Sequence, residues 1–341
     1  MLYRLARPIL FCLDPESAHG AGLGLLDAMH SAGLMRLIAD PPPALPLRAM
    51  GIDFPNPLGL AAGMDKNGDH IDALLGLGFG FIEVGAVTPR AQPGNPRPRI
   101  FRLTEARAVI NRMGFNNLGV DHLVDNLHRR KNQGVVGVNI GKNFDTPIER
   151  AAEDYVFCLR KVYPYASFVT ANVSSPNTSG LRDLQHDLLL DHLLGELARA
   201  RAELIQSTGR YVPITVKIAP DLDEGGIDSI AEKVVAHGLD AVIATNTTLS
   251  RAGVEHLPAC REVGGLSGTP VRARSTQVVA RLAMVLKGRV PIIGVGGVAS
   301  AADAIEKLQA GASLVQLYSS LVYEGPGVVG RILAGLARSR A

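Results

Sequence analysis

The sequence predicts an α/β fold, a (β/α)8 TIM barrel with a small N-terminal helical hairpin extension. From about residue 47 onward, eight short apolar segments alternate with helix-length stretches, as expected for buried parallel strands joined by helical crossovers. A chain of 341 residues is long enough for one such barrel and a short extension. Three consecutive prolines at 41–43 cannot continue a helix and mark the boundary between residues 1–43 and 44–341. A doubly wound open sheet is the alternative.

The N-terminal segment is predicted to form a pair of helices outside the barrel. Asp14, Pro15 and Glu16 combine an N-cap, a proline at the first helical position and an acid in the first turn, which predicts a helix over 15–30. A second short apolar segment at 34–39 completes the hairpin. The pair either packs against the barrel for stability or forms an apolar lid or a foot on a membrane surface. Its acidic and basic residues balance, so any affinity for lipid must be mainly hydrophobic.

The barrel elements follow in chain order. The predicted strands are residues 58–62, 81–87, 135–140, 168–173, 214–218, 241–245, 291–295 and 314–318. The predicted helices are residues 148–162, 187–206, 226–238, 271–286 and 301–310. The longer insert at 88–128 is predicted to be an elaborated loop over the second strand.

Composition excludes several classes of protein. Apolar residues make up 47% of the chain and charged residues 20%, which indicates a folded globular protein. The net charge of +3 is spread along the chain, so no nucleic-acid partner is predicted. Cys12, Cys158 and Cys260 are too widely spaced for a disulfide scaffold or a thiolate metal site, which favours a reducing compartment.

No membrane-spanning helix or export signal is predicted. The longest apolar runs fall well short of the roughly 18 residues that a spanning helix needs. The segment at 8–13 faintly resembles a signal peptide, but its apolar run stops at Asp14 and no small-residue cleavage site follows.

The loop at 172–182 concentrates amides and hydroxyls directly after the fourth predicted strand. Asn172, Ser175 and Asn177 lie in this loop, and Pro176 breaks any regular ladder there. Such a string in isolation is equally typical of a turn that caps the next helix. Loops at the ends of rigid strands are, however, where chemistry usually takes place.

Polar residues follow the other predicted strands as well. In a barrel, the carboxyl ends of the strands meet at one mouth, so these residues are expected to converge. Amides and lysines without a His or carboxylate cluster predict a site for an anionic, amide-rich ring and no metal. The glycines at 296–297, before a helix capped at Ser300, predict a phosphate site. The glycine-rich loop at 264–268 is predicted to allow another close backbone approach.

Six motifs stand out, at residues 61–68, 94–99, 109–117, 172–182, 216–221 and 290–297. They resemble those of the quinone-dependent, class 2 dihydroorotate dehydrogenase family. The resemblance runs in order from about residue 45 to 330, and the N-terminal hairpin also has the class 2 form. It implies oxidation of (S)-dihydroorotate to orotate in pyrimidine (UMP) biosynthesis, with FMN as hydride acceptor and a membrane quinone as terminal acceptor. It also implies a flavoprotein attached peripherally, through the hairpin, to the cytoplasmic face of the cell membrane.

The resemblance also implies roles for individual residues. Ala86 departs from the family, in which Thr is expected, so one side-chain hydrogen bond to the cofactor is in doubt. His19 and Arg102 are the implied polar neighbours of the quinone. The implied substrate contacts are Lys66, Asn111, Arg112, Met113, Gly114, Phe115, Asn172, Asn177, Asn246 and Thr247. The implied FMN contacts are Ala62, Gly63, Met64, Asp65, Lys66, Ala86, Asn139, Asn172, Lys217, Thr245, Gly268, Gly297, Tyr318 and Ser319.

Ser175 and Lys217 are the predicted catalytic residues. The reaction removes a proton beside a carbonyl and a hydride from the neighbouring carbon, so a base is needed on one ring face. Ser175 is the credible base in its loop, but a serine needs a closed, dry pocket and a proton relay; related class 1 enzymes use cysteine there. Lys217 can balance developing negative charge. The alternatives are a class 1-like barrel with a soluble acceptor and a flavin-binding barrel without turnover.

Overall fold

The computed structural model describes residues 2–178, 180–185 and 187–340, so Ser179 of the active-site loop lies outside the described residues. The strands are β1 (Leu47–Ala49), β2 (Ile52–Phe54), β3 (Leu58–Leu60), β4 (Phe81–Val87), β5 (Ile100–Leu103), β6 (Ala108–Asn111), β7 (Val135–Ile140), β8 (Phe168–Asn172), β9 (Ile214–Ile218), β10 (Ala241–Ala244), β11 (Gly265–Gly268), β12 (Ile292–Val295) and β13 (Leu314–Leu317). The α-helices are α1 (Leu2–Cys12), α2 (Pro15–Ser31), α3 (Ile71–Leu75), α4 (Val120–Arg129), α5 (Ala151–Val162), α6 (Asp187–Thr208), α7 (Glu224–Ala236), α8 (Arg272–Leu286), α9 (Ala301–Gln309), α10 (Ser319–Glu324) and α11 (Val328–Arg340).

Eight parallel strands close into a barrel in the order β3-β4-β7-β8-β9-β10-β12-β13. Each lies within two residues of a predicted strand, so the predicted fold class is confirmed and the open sheet is excluded. The runs could be recognised because helices cover the outer face and side chains fill the interior, which keeps both faces of every strand apolar.

Aromatic rings close the amino-terminal end of the barrel. Phe81 packs edge-on against Phe54 at 5.3 Å and against Phe168 at 6.1 Å between ring centroids. Glycines face these rings because a Cβ at Gly59 or Gly137 would lie 2.3 or 2.2 Å from a ring carbon. The barrel is therefore a packed core that opens at its carboxyl end.

The N-terminal hairpin consists of α1 and α2, and here the prediction was partly wrong. Helix α2 and its Asp14 cap were predicted, and the Asp14 carboxylate accepts hydrogen bonds from the amides of Glu16 and Ser17. The second helix, however, is α1, whereas the predicted helix at 34–39 is reduced to one 3-10 turn. Helix α1 packs on α10, with the ring centroids of Phe11 and Tyr323 5.6 Å apart. That partner lies near the other end of the chain, so no local pattern reveals it.

The insert after β4 is more ordered than predicted. Strands β5 and β6 form an antiparallel pair, and β6 also pairs with β11 to make a three-stranded sheet beside the barrel mouth. The predicted glycine-rich loop at 264–268 is thus mostly strand β11, which is a correction. Gly264 and Gly268 are required where the chain comes close to β6, because each has a positive φ and its Cβ would lie 2.3 Å from a backbone oxygen.

Salt bridges attach the hairpin to the barrel. Glu16 at the start of α2 pairs with the buried Arg99 at 2.6 Å, and Arg99 also donates to the carbonyl oxygens of Pro93 and Asn95. Asp27 of α2 contacts the ring of His70 at 2.6 Å. Because these contacts join α2 to the loops around the barrel mouth, α2 covers one side of the region where polar residues converge.

Candidate active site

A cleft opens at the carboxyl ends of the barrel strands. It contains both predicted catalytic residues, Ser175 and Lys217, and most of the predicted ligand contacts. The others that line it are Ala62, Gly63, Lys66, Ala86, Asn111, Met113, Gly114, Phe115, Asn172, Asn177, Thr245, Asn246, Thr247, Gly268, Gly297, Tyr318 and Ser319. Residues from seven strand ends and from the insert therefore converge as the sequence predicts.

Four predicted contacts do not line this cleft. The Arg112 guanidinium points outward, where it pairs with Glu262 at 2.6 Å. The Asp65 carboxylate accepts hydrogen bonds from the amides of residues 69 and 70 and so stabilises its own loop. Met64 lines a second cavity, and Asn139 is fully buried behind Asn172. The motif pattern predicted their position in the chain but not the direction of their side chains.

Ser175 and Lys217 lie on neighbouring elements of the cleft wall. Lys217 is paired in register with Asn172, the last residue of β8, and Ser175 follows three residues later. Both side chains are nearly buried, with 6% and 5% of their surface exposed. In the described part of the chain, Ser175 Oγ accepts a 3.3 Å hydrogen bond from the Asn177 amide and contacts no carboxylate or imidazole. A lysine and a serine hydroxyl thus line the same cleft.

Amide side chains around these residues hold one another in place. Asn172 donates to Asn139 Oδ1 at 3.0 Å, and Asn246 donates to Asn172 Oδ1 at 3.2 Å. Asn177 donates to Asn111 Oδ1 at 3.1 Å, which joins the loop after β8 to the end of β6. Because each amide has a partner before any ligand arrives, the cleft presents a preorganised set of donors and acceptors.

Lys66 provides the cationic end of the cleft. Its ammonium donates to the Gly63 carbonyl at 3.1 Å. Burial lowers the pKa of Lys66 to about 8, and the nearby Arg99 adds to this effect, while Glu16 and Asp65 oppose it. The group is therefore largely a cation at neutral pH and loses its charge as the pH rises through about 8.

We expect the affinity for orotate to follow this titration. An anionic ligand needs the charged form of Lys66, so the Kd for orotate should be constant below about pH 7 and rise by up to about tenfold per pH unit above pH 8. Titration of the oxidised protein with orotate, followed by the flavin spectrum, measures it. Lys66→Met should bind about ten- to a hundredfold more weakly and lose this pH dependence. A wild-type Kd that is unchanged between pH 7 and 9.5 would exclude Lys66 as the anion partner.

The opposite end of the cleft is suited to a phosphate. Gly296 and Gly297 have positive φ angles, and a Cβ at Gly297 would lie 2.4 Å from the Cβ of Arg272. Their bare backbone precedes α9, whose first turn is closed by the reciprocal hydrogen bonds of Ser300 and Asp303. This end therefore offers close backbone approach beside a helix amino terminus, as the glycine pattern predicts.

The polar atoms of the cleft fit FMN. Four buried oxygens that belong to cleft residues have no hydrogen-bond partner among the described residues: Asn177 Oδ1, Thr247 Oγ1, Gln316 Oε1 and Ser320 Oγ. A ligand with ring N–H groups and hydroxyls would satisfy such oxygens, and FMN and dihydroorotate carry them. The fit therefore rests on the donor and acceptor chemistry of this chain's own residues.

Several cleft residues were not predicted. Gln316 could have been found, because it lies two residues before Tyr318 on the same face of β13. Ser267 could not, since it reaches the cleft through the long-range pairing of β11 with β6. The residues that sequence reasoning missed include Arg107, Ser267, Thr269, Gln316, Ser320 and Glu324.

Ala86 lines the cleft, and the neighbouring Thr88 does not compensate for its missing hydroxyl. Thr88 is fully buried, donates to the Arg90 carbonyl at 2.7 Å and accepts a hydrogen bond from Asn117 at 2.8 Å. It therefore holds the insert in place rather than facing the cleft. Any contact of residue 86 with a ligand must be made by its backbone or methyl group.

A second, apolar cavity lies between the hairpin and the barrel. Both predicted quinone neighbours, His19 and Arg102, line it together with Met64 and side chains of α1 and α2. Burial, with a further contribution from Lys66, lowers the pKa of His19 to about 4, so its ring is neutral at physiological pH. Arg102 lies 4.6 Å above the Phe11 ring and donates to carbonyl oxygens at the end of α1. Tyr318 lines this cavity and the main cleft.

Neither a metal site nor a membrane-spanning helix is found among the described residues. These residues contain no group of three or more His, Cys, Asp or Glu side chains that could hold a metal ion. None of the described helices is long and apolar enough to cross a membrane.

The fold and the cleft define a class of protein: an α/β barrel whose mouth is suited to a small anionic ring and a phosphate-bearing cofactor. The family model described as dihydroorotate dehydrogenase matches residues 44–339. The chain belongs to the dihydroorotate dehydrogenase family. This membership confirms the predicted activity, the oxidation of dihydroorotate to orotate in pyrimidine biosynthesis, with FMN as cofactor and a quinone as acceptor.

Curated relatives and solved structures agree with the family. A Nitrosospira multiformis protein named dihydroorotate dehydrogenase (quinone) is 58% identical over 97% of this chain and 95% of its own length. A relative of the same name from Dechloromonas aromatica is 56% identical over 99% of this chain and 98% of its own. The crystal structure of the Eimeria tenella enzyme in complex with ferulenol superimposes with a TM-score of 0.88 at 38% identity, covering 96% of this chain and 91% of that one.

Proposed function

We propose that Ser175 is the base of the reaction, that Lys217 stabilises its developing charge, and that electrons leave past Tyr318 to a quinone in the hairpin cavity. The observation that carries the last step is that Tyr318 lines both cavities. A cofactor at the barrel mouth and an acceptor under the hairpin would therefore be separated by little more than one side chain.

The residues of the main cleft are assigned by their chemistry. Lys66 binds the substrate carboxylate, while Asn111, Asn172, Asn177 and Asn246 contact the ring amides, with Met113, Gly114, Phe115 and Thr247 closing around them. Ser175 would accept the substrate proton at Oγ while its own hydroxyl proton passes to a proton relay, in a pocket that the surrounding buried side chains close. Bound FMN supplies a hydride acceptor to the opposite ring face. Lys217 provides a fixed positive charge in this low-dielectric volume.

Residues 1–43 are proposed as a separate unit that admits the quinone from the membrane surface at the cytoplasmic face. The rim of the hairpin supports this, because Leu5 is 74% exposed and Ile9, Leu13 and Leu25 are exposed nearby. An exposed apolar rim around an apolar cavity is suited to an acyl-chain surface and to a long-tailed quinone. The neutral ring of His19 and the Arg102 side chain would be the polar neighbours of the quinone head group.

Removing the hairpin should separate the two half-reactions. A chain that begins at Leu45 should keep FMN and be reduced by dihydroorotate, because the main cleft is built from barrel residues. Its reoxidation by a long-tailed quinone should fall steeply, while a small soluble dye should still accept electrons. Stopped-flow absorbance of the flavin measures each half-reaction. Equal loss of both, or full quinone activity without the hairpin, would contradict the proposed route.

Membrane attachment is tested with intact protein. Leu5→Ser combined with Ile9→Ser should release the protein from liposomes in a flotation assay, because two exposed apolar side chains are lost from the rim. The matched control is Leu188→Ser on α6, since Leu188 is 87% exposed but lies outside the hairpin. If the control variant dissociates as much as the hairpin variant, the hairpin is not the attachment surface.

A further inference from the structure

A buried carboxylate lies beneath the main cleft, and neither the motifs nor the mechanism uses it. Glu83 on β4 points into the barrel and is 1% exposed. Its Oε1 accepts a 2.7 Å hydrogen bond from Asn139 Nδ2, and its Oε2 accepts a 2.8 Å hydrogen bond from Gln316 Nε2. Among the described residues it forms no salt bridge. Burying a carboxyl group inside a barrel is costly, which points to a role beyond packing.

The hydrogen bonds of Glu83 impose a direction on the amides around it. Both oxygens of Glu83 act as acceptors, so Asn139 and Gln316 each turn their NH2 group toward it. The side-chain oxygen of Asn139 then points toward Asn172 and accepts a hydrogen bond from Asn172 Nδ2 at 3.0 Å. The side-chain oxygen of Asn172 in turn accepts a hydrogen bond from Asn246 Nδ2 at 3.2 Å. One acceptor beneath the cleft thus orients Asn139 and Gln316 directly. Asn172 and Asn246 follow the same direction, which the backbone amides of Ser174 and Thr247 also support.

The same constraint decides what the cleft presents to a ligand. Since the NH2 group of Gln316 is turned toward Glu83, its oxygen is left as a buried acceptor without a partner among the described residues. Asn172 uses one N–H for Asn139 and keeps the second available as a donor. An acceptor at Gln316 and a donor at Asn172 complement a planar ring that carries both N–H and C=O groups.

We propose that Glu83 is a positioning residue that sets the donor and acceptor polarity of the ring-binding cleft. The proposal rests on the proposed function in one respect: it takes FMN and orotate to be the rings that the cleft binds. It assigns to Glu83 the recognition of N–H and C=O groups without direct contact, through Gln316 on one side and through Asn139 and Asn172 on the other. Its removal should therefore affect ligand binding more than folding.

Glu83→Gln tests this with almost no change in shape. A glutamine can offer its oxygen to one neighbour and its NH2 to the other, so Asn139 keeps its bond while Gln316 must reverse and present NH2 to the cleft. The number of hydrogen bonds inside the protein is then preserved, but the polarity of the cleft is not. We expect the Kd of the oxidised holoenzyme for orotate to rise about tenfold or more and FMN to dissociate faster, while Tm changes little.

The double variant Glu83→Gln with Asn139→Asp provides a rescue. The new carboxylate at position 139 accepts both from the new amide at position 83 and from Asn172. The amide oxygen at position 83 still accepts from Gln316, so Gln316 and Asn172 keep their wild-type directions, and only the hydrogen bond between positions 83 and 139 is reversed. Asn139→Asp alone places two carboxylates side by side and should bind orotate weakly. The double variant should recover most of the affinity that the single variants lose, a result that a purely structural role does not predict.

Thr215→Val is the matched control. Thr215 is buried on β9 and donates to Thr170 Oγ1 at 2.9 Å, outside the chain of amides. It should lower Tm and leave the orotate Kd within about twofold. Glu83→Gln with wild-type orotate and FMN binding, or a double variant as weak as the singles, would overturn the proposal. Flavin reduction of the wild-type protein by dihydroorotate, measured in parallel, tests the proposed function separately.

Discussion

Replacing Ser175 with alanine should slow flavin reduction by dihydroorotate by about 10²–10⁴-fold at neutral pH, the range attributed to a positioned general base. The reason is local. Ser175 Oγ is nearly buried in the cleft, and in the described part of the chain no carboxylate or imidazole contacts it that could accept the proton instead. The measurement is a single-turnover absorbance trace of the bound flavin after mixing with dihydroorotate.

Two further variants identify the base. Ser175→Cys should keep some activity and gain rate as the pH rises toward about 8.5, where a thiol ionises. Ser174→Ala removes the neighbouring hydroxyl, which donates to the Lys217 carbonyl and does not line the cleft, so its effect should stay within about tenfold. Wild-type turnover in the Ser175→Ala variant would remove this residue from the mechanism.

Lys217→Ala should lower the rate of flavin reduction by about 10²–10³-fold while the protein still folds and holds FMN. Lys217 is nearly buried at the end of β9 and supplies a positive charge where the low dielectric makes such a charge most effective. Stopped-flow reduction of the flavin-loaded variant measures the effect, and thermal unfolding checks the fold. A normal reduction rate in that variant would refute the role.

Lys142 offers a matched control, because it is also a buried lysine just after a barrel strand. Its ammonium donates to the carbonyl oxygens of Asn143 and Thr146 and does not line the cleft. Lys142→Met should therefore reduce Tm with little change in flavin reduction. The comparison separates the charge in the cleft from the general loss of a buried lysine.

The parts of the protein that were predictable depend on short-range patterns. The eight barrel strands are apolar runs of three to seven residues because both of their faces are buried. A run of that kind can be recognised from a short stretch of sequence. The start of α2 was predictable because Asp14 caps it within three residues. Convergence of the polar strand ends followed from the barrel itself, since parallel strands place all their carboxyl ends at one mouth.

The parts that were not predictable depend on partners far away in the chain. Helix α1 is stabilised on α10, and β11 is a strand because it pairs with β6. Side-chain direction is a similar problem, because Arg112 points outward to Glu262, 150 positions later. A short stretch of sequence around these residues contains neither partner, so it could not predict the helix, the strand or the direction of the side chain.

The sequence by itself determined the barrel, the mouth at which its polar residues meet and, through motif resemblance, the family and its chemistry. The tertiary structure decided which of those residues face the cleft, that Tyr318 forms a wall common to the cleft and the apolar cavity, and that Glu83 orients the amides beneath. The physical reason is the range of the interactions. Burial patterns and caps act within a few residues, whereas cavities and hydrogen-bond directions arise where distant strands meet.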